Sequence, residues 1–454
     1  MSINQTMRHL GEERSVIREI FEYGNARKKE IGEENVFDFS LGNPSVPAPP
    51  EVNAEITRLI ADMPPVKLHG YTSAAGAPEV RAAVAAYLQT QFGAPVSASR
   101  VYMTCGAAAS LTISLAAMSE AGDEFVVVAP CFPEYRVFIE RAGGKVVEAQ
   151  AAADFHLDLA ALARAVGSRT KAVILNSPNN PTGAVYGREE LAALAALLAE
   201  KSAERGAPVY LIADEPYREL TYGAEVPCLL NIYPDTVLCY SFSKSLSLAG
   251  ERIGYIAVPD GCTDADALFA AVCGAGRALG YVCAPALFQR VAAKCLGKSG
   301  DIAAYRENRD LLWNALRAYG FECVPPEGAF YLFVRSPEPD AKAFCARAKK
   351  YELLLVPSDS FGVPGYVRIS YCVAKETIQS ALPALYLILF QIFATVRRYI
   401  VTRSSTKGSV TTERMVPVEN AAAENCFSPS SFSANATTLA AGGIAMAITG
   451  VKST

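Results

Sequence analysis

The sequence predicts an α/β fold, a parallel sheet covered by helices on both faces, followed by a second and smaller α/β region. Three observations carry this. From about residue 100, short apolar runs rich in β-branched residues alternate with longer stretches of helical spacing. The runs are apolar at almost every position, as strands are when both faces of their sheet are buried. Three of the runs, at 172–175, 209–213 and 237–240, are followed at once by polar residues, at the place where the carboxyl ends of parallel strands would gather them.

The elements follow in chain order. Between residues 14 and 34, Val16, Ile17, Ile20 and Phe21 stand at helical spacing among charges, an amphipathic helix. Residues 40–50 are too rich in proline for regular structure. Strands are expected over 125–129, 172–175, 209–213, 237–240 and 253–258. A helix over 189–204 carries Leu191, Leu194 and Leu198 on one face, with Gly206 as its C-cap. Beyond about residue 286, helices are expected over 301–319 and 340–350 and strands over 328–334 and 366–371. The apolar run 384–396 falls short of the ~20 residues that a membrane span needs, and reads as a core or interface helix.

Composition narrows the function classes. The 454 residues carry 42 Lys and Arg against 46 Asp and Glu, a formal charge of -4. Such a chain has no global attraction for nucleic acid or anionic membranes, so neither is expected as a partner. The three histidines, His9, His69 and His156, lie far apart, which speaks against a His-rich metal centre, and no metal is expected. No two of the twelve cysteines form a CxxC unit, and several sit in apolar stretches as small hydrophobes do. The N-terminus lacks the apolar core of a secretory signal. A reduced, cytoplasmic enzyme is the expectation. The last 59 residues, 396–454, differ: sixteen are Ser or Thr, with six basic and three acidic groups, and a low-complexity, disordered tail is expected there.

The residues after the apolar runs form the candidate site. They include Phe132 after the first run, Asn180 in Asn176-Ser177-Pro178-Asn179-Asn180-Pro181-Thr182-Gly183 after the second, Asp214 and Tyr217 after the third, and Ser241, Ser243 and Lys244 after the fourth. An acid, a phenol, an amide, two hydroxyls, an aromatic ring and a lysine would share one edge of the sheet.

The segment from Ser241 to Tyr255 fits S-x-S-K-[ST], a small-residue stretch, and G-x-R-x-G-aromatic. Here the sequence resembles the pyridoxal-phosphate aminotransferases of class I/II, the fold-type I family, with motifs in the family's order from about Phe37 to Ser370. The resemblance implies a large domain with a mostly parallel seven-stranded sheet between helices, plus a smaller α/β domain. It divides the chain into 1–48 and 287–395 for the small domain, 49–286 for the large cofactor-binding domain, and the 396–454 tail.

The resemblance also implies roles. Lys244 would hold the aldehyde of pyridoxal 5'-phosphate as a Schiff base and later move the substrate's proton. Asp214 would pair with the pyridine nitrogen, Tyr217 and Asn180 with the ring hydroxyl oxygen, and Phe132 would stack on the ring. Gly106, Ala107 and Ala108, at the start of an Ala-rich helix, would cradle the phosphate with Ser241, Ser243 and Arg252. Arg368, in Gly365-Tyr366-Val367-Arg368-Ile369-Ser370, would grip the substrate α-carboxylate with its planar fork. Gly42, in Ser40-Leu41-Gly42-Asn43-Pro44, would close over it. Tyr71 would reach the phosphate of a neighbouring subunit, so a homodimer is implied. Arg277 lies in roughly the region where aspartate-specific relatives read a distal carboxylate.

The activity implied is transfer of an amino group from an aspartate-like, aromatic or alanine-like amino acid to a 2-oxo acid such as 2-oxoglutarate. A C–S β-lyase or an aminocyclopropane-carboxylate-synthase-like enzyme would share Lys244, Asp214 and Arg368. A non-enzymatic sensing module would need a DNA-binding domain, and the residues before Ser40 show no helix-turn-helix pattern.

Overall fold

The computed structural model describes residues 3–12 and 15–405, with side chains as far as residue 392. Among the described residues there are twelve strands: β1 (Phe37–Asp38), β2 (Val101–Thr104), β3 (Glu124–Ala129), β4 (Lys145–Gln150), β5 (Thr170–Asn176), β6 (Tyr210–Asp214), β7 (Thr236–Ser241), β8 (Gly254–Ala257), β9 (Tyr331–Arg335), β10 (Leu353–Leu354), β11 (Val356–Pro357) and β12 (Tyr366–Ser370). Seven make one sheet in the order β2-β8-β7-β6-β5-β3-β4.

The apolar runs are continuous because successive residues serve opposite faces of this sheet. In β3, Phe125 and Val127 face one core and Val126 and Val128 the other; in β5, Ala172 and Ile174 oppose Val173 and Leu175. The first face is covered by the helices Ala107–Met118, Glu134–Arg141 and Ala265–Ala278, through residues such as Ile113, Ile139 and Val272. The second is covered by Pro78–Phe92, Leu159–Ala165 and Arg188–Arg205, through Val84, Leu162 and Leu194. Gly206 ends the last of these at φ 71°, as its C-cap position requires. Helix Ala286–Lys294 also places Val291 and Ala292 in this core, just past the division expected at residue 286.

The sheet is mostly parallel, as expected, and one strand departs from the parallel direction. β8 lies antiparallel between β2 and β7. Only the short Phe242–Ser245 helix and a turn separate it from β7, too little chain for a parallel crossover. β4 was not read as a strand, because it forms the sheet edge and Lys145, Glu148 and Gln150 break its apolar pattern.

A second core gathers residues from both ends of the chain. The antiparallel sheet β11-β12-β9 packs with the helices Ile302–Tyr319, Ala341–Ala348 and Lys375–Ser405, and Phe39 is buried among them. β1 pairs in parallel with β10, Phe37 opposite Leu353. The apolar run near the C-terminus supplies Leu385, Ile388, Leu389 and Ile392 to this core. No helix among the described residues is long and apolar enough to cross a membrane. The Lys375–Ser405 helix crosses residue 396, where a tail was expected to begin; from residue 406 that expectation lies outside the described residues.

Candidate active site

The carboxyl ends of β5, β6 and β7 meet β9, β12 and the proline-rich segment around one cavity of about 260 Å³. β6 ends on Asp214 and β7 on Ser241, so both are fixed by ladder hydrogen bonds. Asn176, the last residue of β5, joins two loops. Its Nδ2 donates to the Asp214 carbonyl at 2.8 Å, and its Oδ1 accepts from the Asn180 N–H at 2.7 Å.

Asp214 is buried. Its Oδ2 accepts a 2.5 Å hydrogen bond from the Tyr135 hydroxyl, while its Oδ1 is buried without a partner. Burial pushes this carboxyl up to about 7, the Tyr135 bond pulls it down, and neighbouring Glu215 adds to the rise. Glu215 itself is paired with Arg218 at 2.5 Å.

Lys244 sits in the helical turn that follows β7, and its Nζ donates to the Gly42 carbonyl at 2.6 Å. Burial pushes the amine down to about 8; Cys372 opposes the fall, and the charges of Arg368 and Arg252 add to it. Arg368, in mid-β12, is only 2% exposed, and burial lowers its pKa as well. Nη1 donates to Asn180 Oδ1 at 3.1 Å and Nη2 to the Ser40 carbonyl at 2.5 Å, while Nε is buried without a partner. The rings of Tyr331 and Phe361 flank the guanidinium, at 4.6 and 5.2 Å from their centroids.

A second corner of the cavity suits an anion. Gly106 has φ 84° and caps the Ala107–Met118 helix, whose first amides have no partner within the helix. A side chain at Gly106 would stand 3.0 Å from the Arg252 guanidinium, so glycine keeps this approach open. Ser241 Oγ donates to Ser243 Oγ at 2.7 Å on the same side.

Of the residues singled out from sequence, Gly42, Ala107, Ala108, Phe132, Asn180, Asp214, Tyr217, Ser241, Ser243, Lys244, Arg252 and Arg368 all line this cavity, with Gly106 beside it. Tyr71, 89% exposed, and Arg277, also exposed, do not line it. Sequence reasoning missed three residues. Ile17, read only as part of an amphipathic helix, lines the cavity. Tyr135 bonds Asp214, and Tyr331 lies 2.9 Å from Tyr217, hydroxyl to hydroxyl. A tyrosine in the first turn of the helix after the first apolar run, β3, was the available signal for Tyr135; Tyr331 had none.

Comparisons with known proteins point to one family. The profile of the family described as aminotransferase class I and II matches residues 34–385. An aspartate aminotransferase of Thermotoga maritima is 32% identical over 357 residues, covering 77% of this chain and 90% of that protein. The aspartate/prephenate aminotransferase of Thermus thermophilus is 32% identical over 79% of this chain and 92% of its own length. Among solved structures, an amino transferase from Eubacterium rectale superposes with a TM-score of 0.84 at 53% identity, covering 86% of this chain and 99% of that one. The Thermus thermophilus aspartate aminotransferase solved with maleate superposes with a TM-score of 0.77 at 27% identity, covering 86% and 100%.

Proposed function

We propose that this chain, which belongs to the class I and II aminotransferases, moves an amino group from an L-amino acid to a 2-oxo acid such as 2-oxoglutarate in two half-reactions. The donor, aspartate-like, aromatic or alanine-like, leaves as its oxo acid before the acceptor binds. One observation carries the reading: the Lys244 amine shares a cavity with the unpartnered Asp214 Oδ1 and the unpartnered Arg368 Nε. Pyridoxal 5'-phosphate, the family's cofactor, supplies a cationic ring that takes up the electron pair left when the substrate α-carbon loses its proton.

The donor set fits that group. Asp214 Oδ1 is a buried acceptor lacking a donor, which a protonated ring nitrogen would satisfy. Tyr217 and Asn180 would meet the ring hydroxyl oxygen, and Phe132 would cover the ring face. The backbone at Gly106, Ala107 and Ala108, the hydroxyls of Ser241 and Ser243 and the Arg252 guanidinium would hold the phosphate. Lys244 would hold the aldehyde.

With its amine free of the cofactor's aldehyde, Lys244 would act as the general base. An amine lowered to about 8 keeps a free-base fraction near neutral pH that an ordinary lysine lacks, and in that form it can take the α-proton and afterwards return it. Arg368, braced by Asn180 and Ser40, binds the α-carboxylate with two parallel hydrogen bonds, and the Gly42 backbone closes over it. Ile17 and Leu41 give the cavity lining apolar side chains, which would help keep water from the reacting atoms. Tyr71 contributes to the phosphate of a second copy in a homodimer.

The test is spectroscopic. Cofactor-loaded protein given single amino acids without an oxo acid should convert to the pyridoxamine spectrum and release one oxo acid per site. Release of ammonia and pyruvate over many turnovers would replace this reading with a β-lyase. A Lys244→Ala protein should show no borohydride-fixed link between cofactor and chain; a link that persisted would refute the role of the lysine.

A further inference from the structure

We propose that Tyr331 is a positioning residue, a second phenol that donates to the Tyr217 hydroxyl and makes Tyr217 a stronger donor to the cofactor's ring oxygen. The inference rests on the reading of Tyr217 given above and extends it to a residue 114 positions away in the chain that shares its hydrophobic core.

The geometry leaves Tyr331 little freedom. It opens β9, is 2% exposed, and its hydroxyl lies 2.9 Å from that of Tyr217. Its ring is held between the Arg368 guanidinium, 4.6 Å from the centroid, and the edge of Tyr217, 5.8 Å away. On a third side is Gly42, where any Cβ would collide with the Tyr331 hydroxyl. The phenol therefore cannot swing away from Tyr217.

Proton counting then sets the direction of the bond. Each phenol has one proton. When Tyr217 gives its proton to the ring oxygen, only its lone pairs face Tyr331. The adjacent Arg368 is donor-only and cannot accept from Tyr331. The Tyr331 proton thus points at the Tyr217 oxygen, and a hydroxyl that accepts a hydrogen bond donates a better one.

The charges around the pair are Arg368 on β12, Asp214 on β6, Lys244 after β7, and the Cys372 thiol beyond β12. Arg368 favours negative character on both phenol oxygens, while Asp214 opposes it on Tyr217. Burial pushes both phenols up, Tyr331 to about 12, so each remains a donor at neutral pH.

The readout is the pH at which the lysine-bound cofactor changes colour in holoenzyme without substrate. A ring oxygen that loses donated hydrogen bonds holds its negative charge less well, so the midpoint moves up. Tyr217→Phe should raise it by roughly 1 unit or more, and Tyr331→Phe by about 0.5 unit. The double variant should match Tyr217→Phe alone, because Tyr331 acts through Tyr217. Tyr331→Phe keeps the ring over Arg368, and cofactor content measured after denaturation checks loading. An unmoved midpoint in Tyr331→Phe beside a shifted one in Tyr217→Phe would overturn the proposal. So would additive shifts in the double variant. If Tyr217→Phe itself leaves the midpoint in place, the reading of Tyr217 fails first, and this inference falls with it.

Discussion

Asp214 carries opposed demands at a single carboxyl. One oxygen is committed to Tyr135, the other is kept bare, and burial holds the group up to about 7. Its sign on stability follows. In cofactor-free protein between pH 3.8 and about 7, the folded state keeps a proton that the unfolded chain has lost. Stability should therefore fall as pH rises through that window, by ~1.4 kcal/mol per pKa unit at most. Tyr135→Phe removes the bond that lowers the pKa, so thermal melts of the cofactor-free variant should show the decline extending to higher pH. Asp214→Asn should abolish that slope. Asp214, Lys244 and Arg368 were legible in the sequence because each sits in a local motif at a strand or its end. Tyr135 and Tyr331 were not, since their importance lies in contacts made across 79 and 114 residues.

At the scale of elements, the helix Arg188–Arg205 does more than cover the sheet. Its Glu190 accepts from the Gly187 and Leu157 amides and from His156 Nδ1 at 3.1 Å, tying the loop after β4 to the helix start. On its other side the imidazole faces Glu327, 3.7 Å away, in the turn that leads toward β9. Burial alone would lower the His156 pKa, but the Glu190 bond and the fields of Glu190, Glu327 and Asp154 raise it overall. A raised histidine contributes stability that is complete below the unfolded value of about 6.5 and is lost as pH rises through the folded one. His156→Gln should lower Tm by a degree or two near pH 5.5, roughly the worth of a half-exposed pair, and by less at pH 8.5. Capped helices were the most readable elements: Gly206 ends one, and Asp301 and Asp340 begin two others with side-chain hydrogen bonds. The edge strand β4 and the reversed β8 were hidden, because edge exposure erases the apolar run and the run itself has no direction.

At the scale of the whole molecule, the two exposed candidates, Tyr71 and Arg277, make sense together if two copies share their sites. Nearby in the chain, Val66, Leu279 and Val282 are exposed apolar side chains of the kind a second copy would cover. A complementation experiment checks this. Lys244→Ala chains lack the lysine in their own sites, and Tyr71→Phe chains lack the phenol they would lend. Co-expressed, they should form mixed dimers with one intact site, recovering cofactor affinity and one covalent link per dimer. Recovery absent from isolated mixed dimers would mean that each site is built from one chain.

The pairing of Phe37 with Leu353 also bears on how such a molecule is made. A strand emerging early from the ribosome must wait for a partner some three hundred residues later, whereas the sheet from β2 to β8 is complete soon after residue 257. Because closing so long a loop is slow rather than thermodynamically prohibitive, the nascent chain would expose Asp214 and Lys244 on a finished sheet before Gly42 and Arg368 could be brought over them. During synthesis the cavity is thus an open bench, and the clamp proposed for its substrate is the last part to be fitted.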